Sequence, residues 1–230
     1  MSFIKFVNVE HSYQLGKVGI PALRGINLEI SKGEIIALVG PSGSGKTTLI
    51  NLLGTLDTPT KGEIHVDSLT IGNLSPKDKV NYRKNTVSFV FQFFNLFPTL
   101  NVFENVEFPL LFSNVSAAEI KERVSSAVEM VGLKGLEKRN IDELSGGQRQ
   151  RVAVARALVT RAQIVLADEP TGNLDGETAI KVMDLMVEIN KKYGTTLIFS
   201  THDPRVMKYA HRICEIKDGV IENIKINKGA

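Results

Sequence analysis

The residues best able to do chemistry fall in a few short stretches. "GPSGSGKTT" (Gly40, Pro41, Ser42, Gly43, Ser44, Gly45, Lys46, Thr47, Thr48) interleaves glycines with hydroxyl side chains before a lysine. Glycine lets a backbone fold round an anion, so the amides of Gly43 to Thr48 and the following helix N-terminus are placed to face phosphates. Gly40-x-x-x-x-Gly45-Lys46-Thr47 fits the phosphate-loop pattern, between the apolar run Ile35 to Val39 and "LINLLGTL". Lys46 is expected to reach the outer phosphates of a nucleotide and Thr47 to offer its hydroxyl to Mg²⁺.

Three further apolar runs end on polar groups. "IVLADEPTGNLD" places Asp168 to support a metal and Glu169 to act as base, or as orienting group, for a water attacking the terminal phosphate. "LIFSTHDP" ends on His202, an imidazole able to donate to that phosphate or to position Glu169 and the water. "VSFVFQ" ends on Gln92, whose neutral amide suits a water or Mg²⁺ contact. Tyr13 in "HSYQLG" reads either as a platform for a purine ring or as an ordinary half-exposed strand aromatic. His11, His65 and His211 have no comparable setting.

"LSGGQRQRVAVARAL" poses a different problem. Gly146 and Gly147 are poor helix formers, yet they stand where the helical pattern begins. Ser145 reads as an N-cap, which accounts for the serine and not for two glycines. Two glycines before a helix N-terminus bare unpaired amides, a second place for an anion in a chain that already has one.

These stretches need elements to hold them. "FIKFVNVEHSYQL", "LRGINLEI" and "GEIHVDSLTI" alternate apolar and polar residues, as half-buried antiparallel strands do. "IIALVG", "VSFVFQ", "IVLADEP", "TTLIFSTHD" and "RICEIKDGVI" carry unbroken apolar runs, expected of strands covered on both faces. Between Pro98 and Ile141 the pattern turns helical, most clearly in "AAEIKERVSSAVEMVGL". The expected fold is α/β: a mostly parallel core sheet with a flanking antiparallel β subdomain (1–35 and 57–75), core segments 36–56, 76–97 and 150–230, and an inserted helical subdomain (98–149).

The 230 residues, 43% hydrophobic, suffice for one large core. Lys and Arg total 28 against 25 Asp and Glu, interspersed, which gives no nucleic-acid footprint. The single cysteine, Cys214, allows no internal disulfide. No stretch approaches the roughly twenty apolar residues that span a bilayer, so membrane work would need a second polypeptide.

In this order, the phosphate loop, Gln92, "LSGGQ", "IVLADE", "NLD" (Asn173 to Asp175) and His202 resemble the nucleotide-binding ATPase subunits of ABC transporters. The likeness runs from Tyr13 to beyond His202. It implies hydrolysis of ATP with Mg²⁺, by a head-to-tail homodimer that closes on ATP. Each nucleotide would lie between one subunit's phosphate loop and the other's Ser145, Gly146, Gly147 and Gln148, with Asp175 crossing the same interface. It also implies integral membrane permease subunits as partners, and a place on the cytoplasmic face of the inner membrane. "FQFFNLFPTL" would then offer Phe93, Phe94 and Phe97 to a permease helix, or form a buried cluster instead. "LADEPTGNLD" and the phenylalanine-rich stretch look like the branch serving lipoprotein release, macrolide or peptide export, and the cell-division-associated transporter type, so a non-transport, mechanical role in cell division or on DNA stands as the alternative. ABC-type ATPases acting on DNA carry coiled-coil or zinc insertions that this chain lacks, and no Asn-Lys-x-Asp guanine motif is present.

Overall fold

In the computed structural model, which describes residues 2–16 and 18–227, the alternating segments form one sheet and the unbroken apolar segments another. Strands β1 (Ile4–Leu15) and β2 (Val18–Ile30) pair antiparallel, with inward-facing Ile4, Phe6 and Val9 buried. Bulges in β1 re-aim the strand, and past the last of them Tyr13 faces Ile20 across the pair.

β3 (Ile35–Val39) is buried at every residue, because its alternate side chains enter different cores. Ala37 and Val39 join the cluster under the helices, whereas Ile36 and Leu38 join the one beneath the antiparallel sheet. The phosphate-loop helix α1 (Lys46–Leu53) follows, then β4 (Lys61–Val66), β5 (Leu69–Thr70), α2 (Pro76–Asn85) and β6 (Val87–Phe91). α3 (Val102–Glu107), capped by Asn101 in a box with Glu104, and α4 (Ala117–Met130) fill the region expected to be helical. Ile120, Val124, Ala127 and Val128 give α4 its buried stripe.

α5 (Gly146–Leu158) is continuous across residues 149 and 150 and leads to β7 (Ile164–Asp168). α6 (Gly176–Tyr193), β8 (Thr196–Ser200), α7 (Pro204–Met207), β9 (Arg212–Lys217) and β10 (Val220–Ile226) complete the order. The antiparallel sheet runs β2-β1-β4-β5 and the core sheet β10-β9-β3-β8-β7-β6. All core pairings are parallel except β9 with β10. "RICEIKDGVI" is therefore a hairpin, not one covered strand. Asp218 and Gly219, with φ of 47° and 79°, supply the left-handed turn that joins two antiparallel strands tightly.

Candidate functional site

Strand order gathers the polar ends. With β3, β8, β7 and β6 adjacent and parallel, Leu38 lies opposite Ser200 and Phe91 opposite Asp168. The phosphate loop, His202, Asp168 with Glu169, and Gln92 therefore emerge side by side at the carboxyl edge of one sheet, the crevice where parallel α/β sheets hold ligands.

The loop's glycines have different reasons to be glycines. A Cβ on Gly40, at φ 151°, would come 2.0 Å from the carbonyl oxygen of Ile216, so this backbone passes against β9. Gly43, at φ 77°, faces open space. Lys46 Nζ donates to the carbonyl oxygens of Gly40 at 2.8 Å and Pro41 at 2.9 Å, lying across the loop it closes. Pro41, Ser42 and Thr47 are exposed, whereas Ser44, Gly45 and Thr48 are buried. The Tyr13 hydroxyl lies 3.3 Å from Thr48 Oγ1, which brings the aromatic ring over the start of α1. His11, to which the sequence assigns no role, packs edge-on beneath Tyr13 with ring centres 4.7 Å apart.

The acidic pair is held by a residue sequence reasoning missed. Ser200 Oγ donates to Asp168 Oδ1 at 2.6 Å and accepts from the Glu169 amide at 2.8 Å. Glu169 sits at φ 45°, a left-handed conformation that costs a non-glycine residue about 1–3 kcal/mol unless its surroundings enforce it. Its carboxylate Oε2 lies 3.0 Å from His202 Nδ1. A Cβ on Gly172 would meet Gln92 Nε2 at 2.9 Å and Glu169 Oε2 at 3.2 Å, so both side chains converge there. Asn173 Nδ2 donates to the Gln92 carbonyl oxygen at 2.9 Å. The sequence signal for Ser200 is slight: a small polar residue closing an apolar run that turns out to be wholly buried.

The second anion-receptive segment is not part of this cluster. Ser145 Oγ accepts from the Gln148 amide at 3.3 Å and Gln148 Oε1 accepts from the Ser145 amide at 2.9 Å, a complete capping box. The N-cap reading is right for Ser145. Asp175 likewise caps α6, accepting from the amides of Glu177 at 3.1 Å and Thr178 at 3.0 Å. Hydrogen bonds from Thr178, backbone first, hold the Asp175 carboxyl below the usual carboxylate range.

The phenylalanines split between the two readings. Phe93 is exposed, Phe97 is 40% exposed and Phe94 is half-buried. A groove of about 510 Å³ runs beside them, floored by Phe89, Phe91, Phe97, Phe108 and Phe112, with Arg83 and Lys84 among its lining residues. Phe94 and Asn95 both adopt positive φ, and Arg156 of α5 donates to their carbonyl oxygens at 2.8 and 2.5 Å. Burial lowers the Arg156 guanidinium pKa, and the two carbonyls accept its hydrogen bonds.

A phosphate loop at the edge of a parallel sheet, facing an acidic pair and a histidine, defines a P-loop nucleotide hydrolase. Residues 23–172 match the family described as ABC transporter. The chain belongs to that family, and it is an ATP-hydrolysing subunit. It is 44% identical over 223 residues, 95% of each chain, to the uncharacterized ABC transporter ATP-binding protein MJ0796 of Methanocaldococcus jannaschii. It is 45% identical, over 90% of its length and 92% of the relative's, to the lipoprotein-releasing system ATP-binding protein LolD of Legionella pneumophila. It is 43% identical over 96% of its length to the macrolide export ATP-binding/permease protein MacB of Syntrophobacter fumaroxidans, of which it spans 31%. A dimeric, post-hydrolysis structure of MJ0796 bound to ADP and Pi superposes with a TM-score of 0.91 at 40% identity, covering 99% of this chain and all of that one.

Proposed function

We propose that two copies of this chain meet head to tail on ATP, hydrolyse it, and thereby drive a membrane permease. The observation carrying this reading is the division of labour between two helix N-termini. The one at Lys46 stands among Asp168, Glu169, Gln92 and His202, whereas the one at Gly146 satisfies its polar side chains within its own turn and leaves Gly146 facing open space. A surface so arranged is suited to a phosphate held by another copy. The dimeric MJ0796 bound to ADP and Pi supports that assembly.

In this reading Lys46 and the amides of Gly43 to Thr48 bind the phosphates, and Tyr13 stacks the base. Pro41 and Ser42 rim the loop, and Thr47, Gln92 and Asp168 hold Mg²⁺. Among the described residues no three His, Cys, Asp or Glu gather into a metal cage. Asp168 as the one carboxylate beside Thr47 and Gln92 fits Mg²⁺, which is held by one or two carboxylates with phosphate oxygens and waters and would supply charge neutralisation there. Glu169, fixed by Ser200 and facing His202, takes the proton of the attacking water. Ser145, Gly146, Gly147 and Gln148 of one copy close over the other's γ-phosphate, and Asp175 lies at the same junction. The γ-phosphate bridges the copies, so its release lets them part.

No helix among the described residues is long and apolar enough to cross a membrane. In this reading the phenylalanine-floored groove receives a permease helix, and the chain works at the cytoplasmic face of the inner membrane. Likeness to LolD and MacB favours release of lipoproteins or export of macrolides or peptides as the work done. Glu169→Gln tests the scheme. The variant should bind Mg-ATP, hydrolyse at under about a hundredth of the normal rate, and elute as a dimer on size exclusion with ATP. A monomer with undiminished hydrolysis would refute it.

A further inference from the structure

Gly146 and Gly147 have unlike surroundings. A Cβ added to Gly146 meets no heavy atom within 4 Å, whereas one added to Gly147 would lie 2.5 Å from Thr178 Cγ2 in the first turn of α6. Neither glycine has a positive φ, so residue 147 is restricted by space and not by backbone conformation. Alanine is the better helix former and would be favoured here if room existed.

Thr178 is itself held in place. Its amide donates to Asp175 Oδ1 at 3.0 Å, part of the cap that opens α6. A β-branched side chain has few χ1 choices, and in the one adopted here the methyl is the atom that faces Gly147. From position 147, Oγ1 lies 3.7 Å away, well behind the methyl. We infer that Thr178 is a positioning residue: its methyl keys into the space left by Gly147 and its amide ties Asp175, so that the amides of Gly146 and Gly147 and the Asp175 turn form one rigid surface. Gly147 is glycine for its own chain, and Gly146 for the partner's nucleotide. The inference rests on the head-to-tail reading above.

Second-site rescue tests it. Gly147→Ala should lower hydrolysis by about tenfold or more, equivalent to about 1.4 kcal/mol. It should also block ATP-dependent dimerisation in a Glu169→Gln background, while ATP binding to the single chain and thermal unfolding stay near normal. Gly147→Ala with Thr178→Ser, which removes the methyl and keeps the hydroxyl, should recover most of both activities. A folded double variant as inactive as Gly147→Ala, or a fully active Gly147→Ala, overturns the inference. Gly146→Asp separates the two claims. A Cβ there meets no heavy atom of its own chain within 4 Å, and the carboxylate would oppose the partner's γ-phosphate, so the chain should fold and bind ATP yet fail to dimerise. Normal ATP-driven dimerisation of Gly146→Asp would overturn the head-to-tail reading, whatever the 147/178 pair does.

Discussion

Replacing Ser200 by alanine separates the scaffold of the acidic pair from the acids themselves. Ser200 is fully buried, donates to Asp168 Oδ1 at 2.6 Å and accepts from the Glu169 amide at 2.8 Å. Alanine supplies neither bond. A buried backbone N–H left without an acceptor costs about 1–3 kcal/mol, and a lost hydrogen bond to a charged group about 1.5–3 kcal/mol. The two penalties overlap in one site, so the expected loss of stability is about 2–4 kcal/mol. For a domain of this size that lowers the melting temperature by about 4–16 °C. The amide in question belongs to Glu169, held at φ 45°, and its release lets that residue relax and turn its carboxylate away from His202. Each 1.36 kcal/mol lost from the transition state is tenfold in rate, so a drop of about ten- to a hundredfold in kcat is expected. The KM for Mg-ATP should change less than kcat, because the phosphate loop is untouched and only Asp168 among the Mg²⁺-holding residues loses a bond. Phosphate release against ATP concentration and a melting curve at pH 7 supply both numbers. A Ser200→Ala protein that melts within about 1 °C of the parent and turns over within twofold would refute the argument that Ser200 fixes Glu169.

Gly40→Ala and Gly43→Ala should differ sharply, although both sit at positive φ. The first drives a methyl to within 2.0 Å of the Ile216 carbonyl and should yield a protein that is poorly folded by circular dichroism. The second should fold, with only the cost of its backbone conformation, about 1 kcal/mol, and weakened ATP binding by calorimetry. Cys214 is pushed up to about 12 by burial. A raised thiol pKa contributes stability that is complete below the unfolded value near 9 and is lost as pH rises from there towards 12. Cys214→Ala should therefore lose less stability than the parent between pH 9 and 11 in denaturant titrations, and a parallel loss in both would contradict the burial argument.

The groove and the nucleotide site share parts. Arg156 ties α5, which begins at the Ser145 cap, to the Phe94 and Asn95 carbonyls two and three residues beyond Gln92. Asn173 holds the Gln92 carbonyl from the other side. If a permease helix docks in the groove as proposed, its movement would have a short covalent and hydrogen-bonded route to both the acidic pair and the Gly146 turn.

Local chemistry wrote much of this molecule into its sequence. The Gly40 to Thr47 spacing, the apolar runs ending on Gln92, Asp168 and His202, and the Ser145 cap all follow from short-range patterns, since strand period and capping operate within a few residues. Tertiary structure decided which of these ends would meet. Only the order β3-β8-β7-β6 sets Ser200 against Asp168 and His202 against Glu169. The sequence also left the two glycines of "LSGGQ" equivalent, because the methyl that distinguishes them belongs to Thr178, on a different helix. Contacts between side chains far apart in the chain depend on how whole elements pack, and no spacing along the chain encodes that distance.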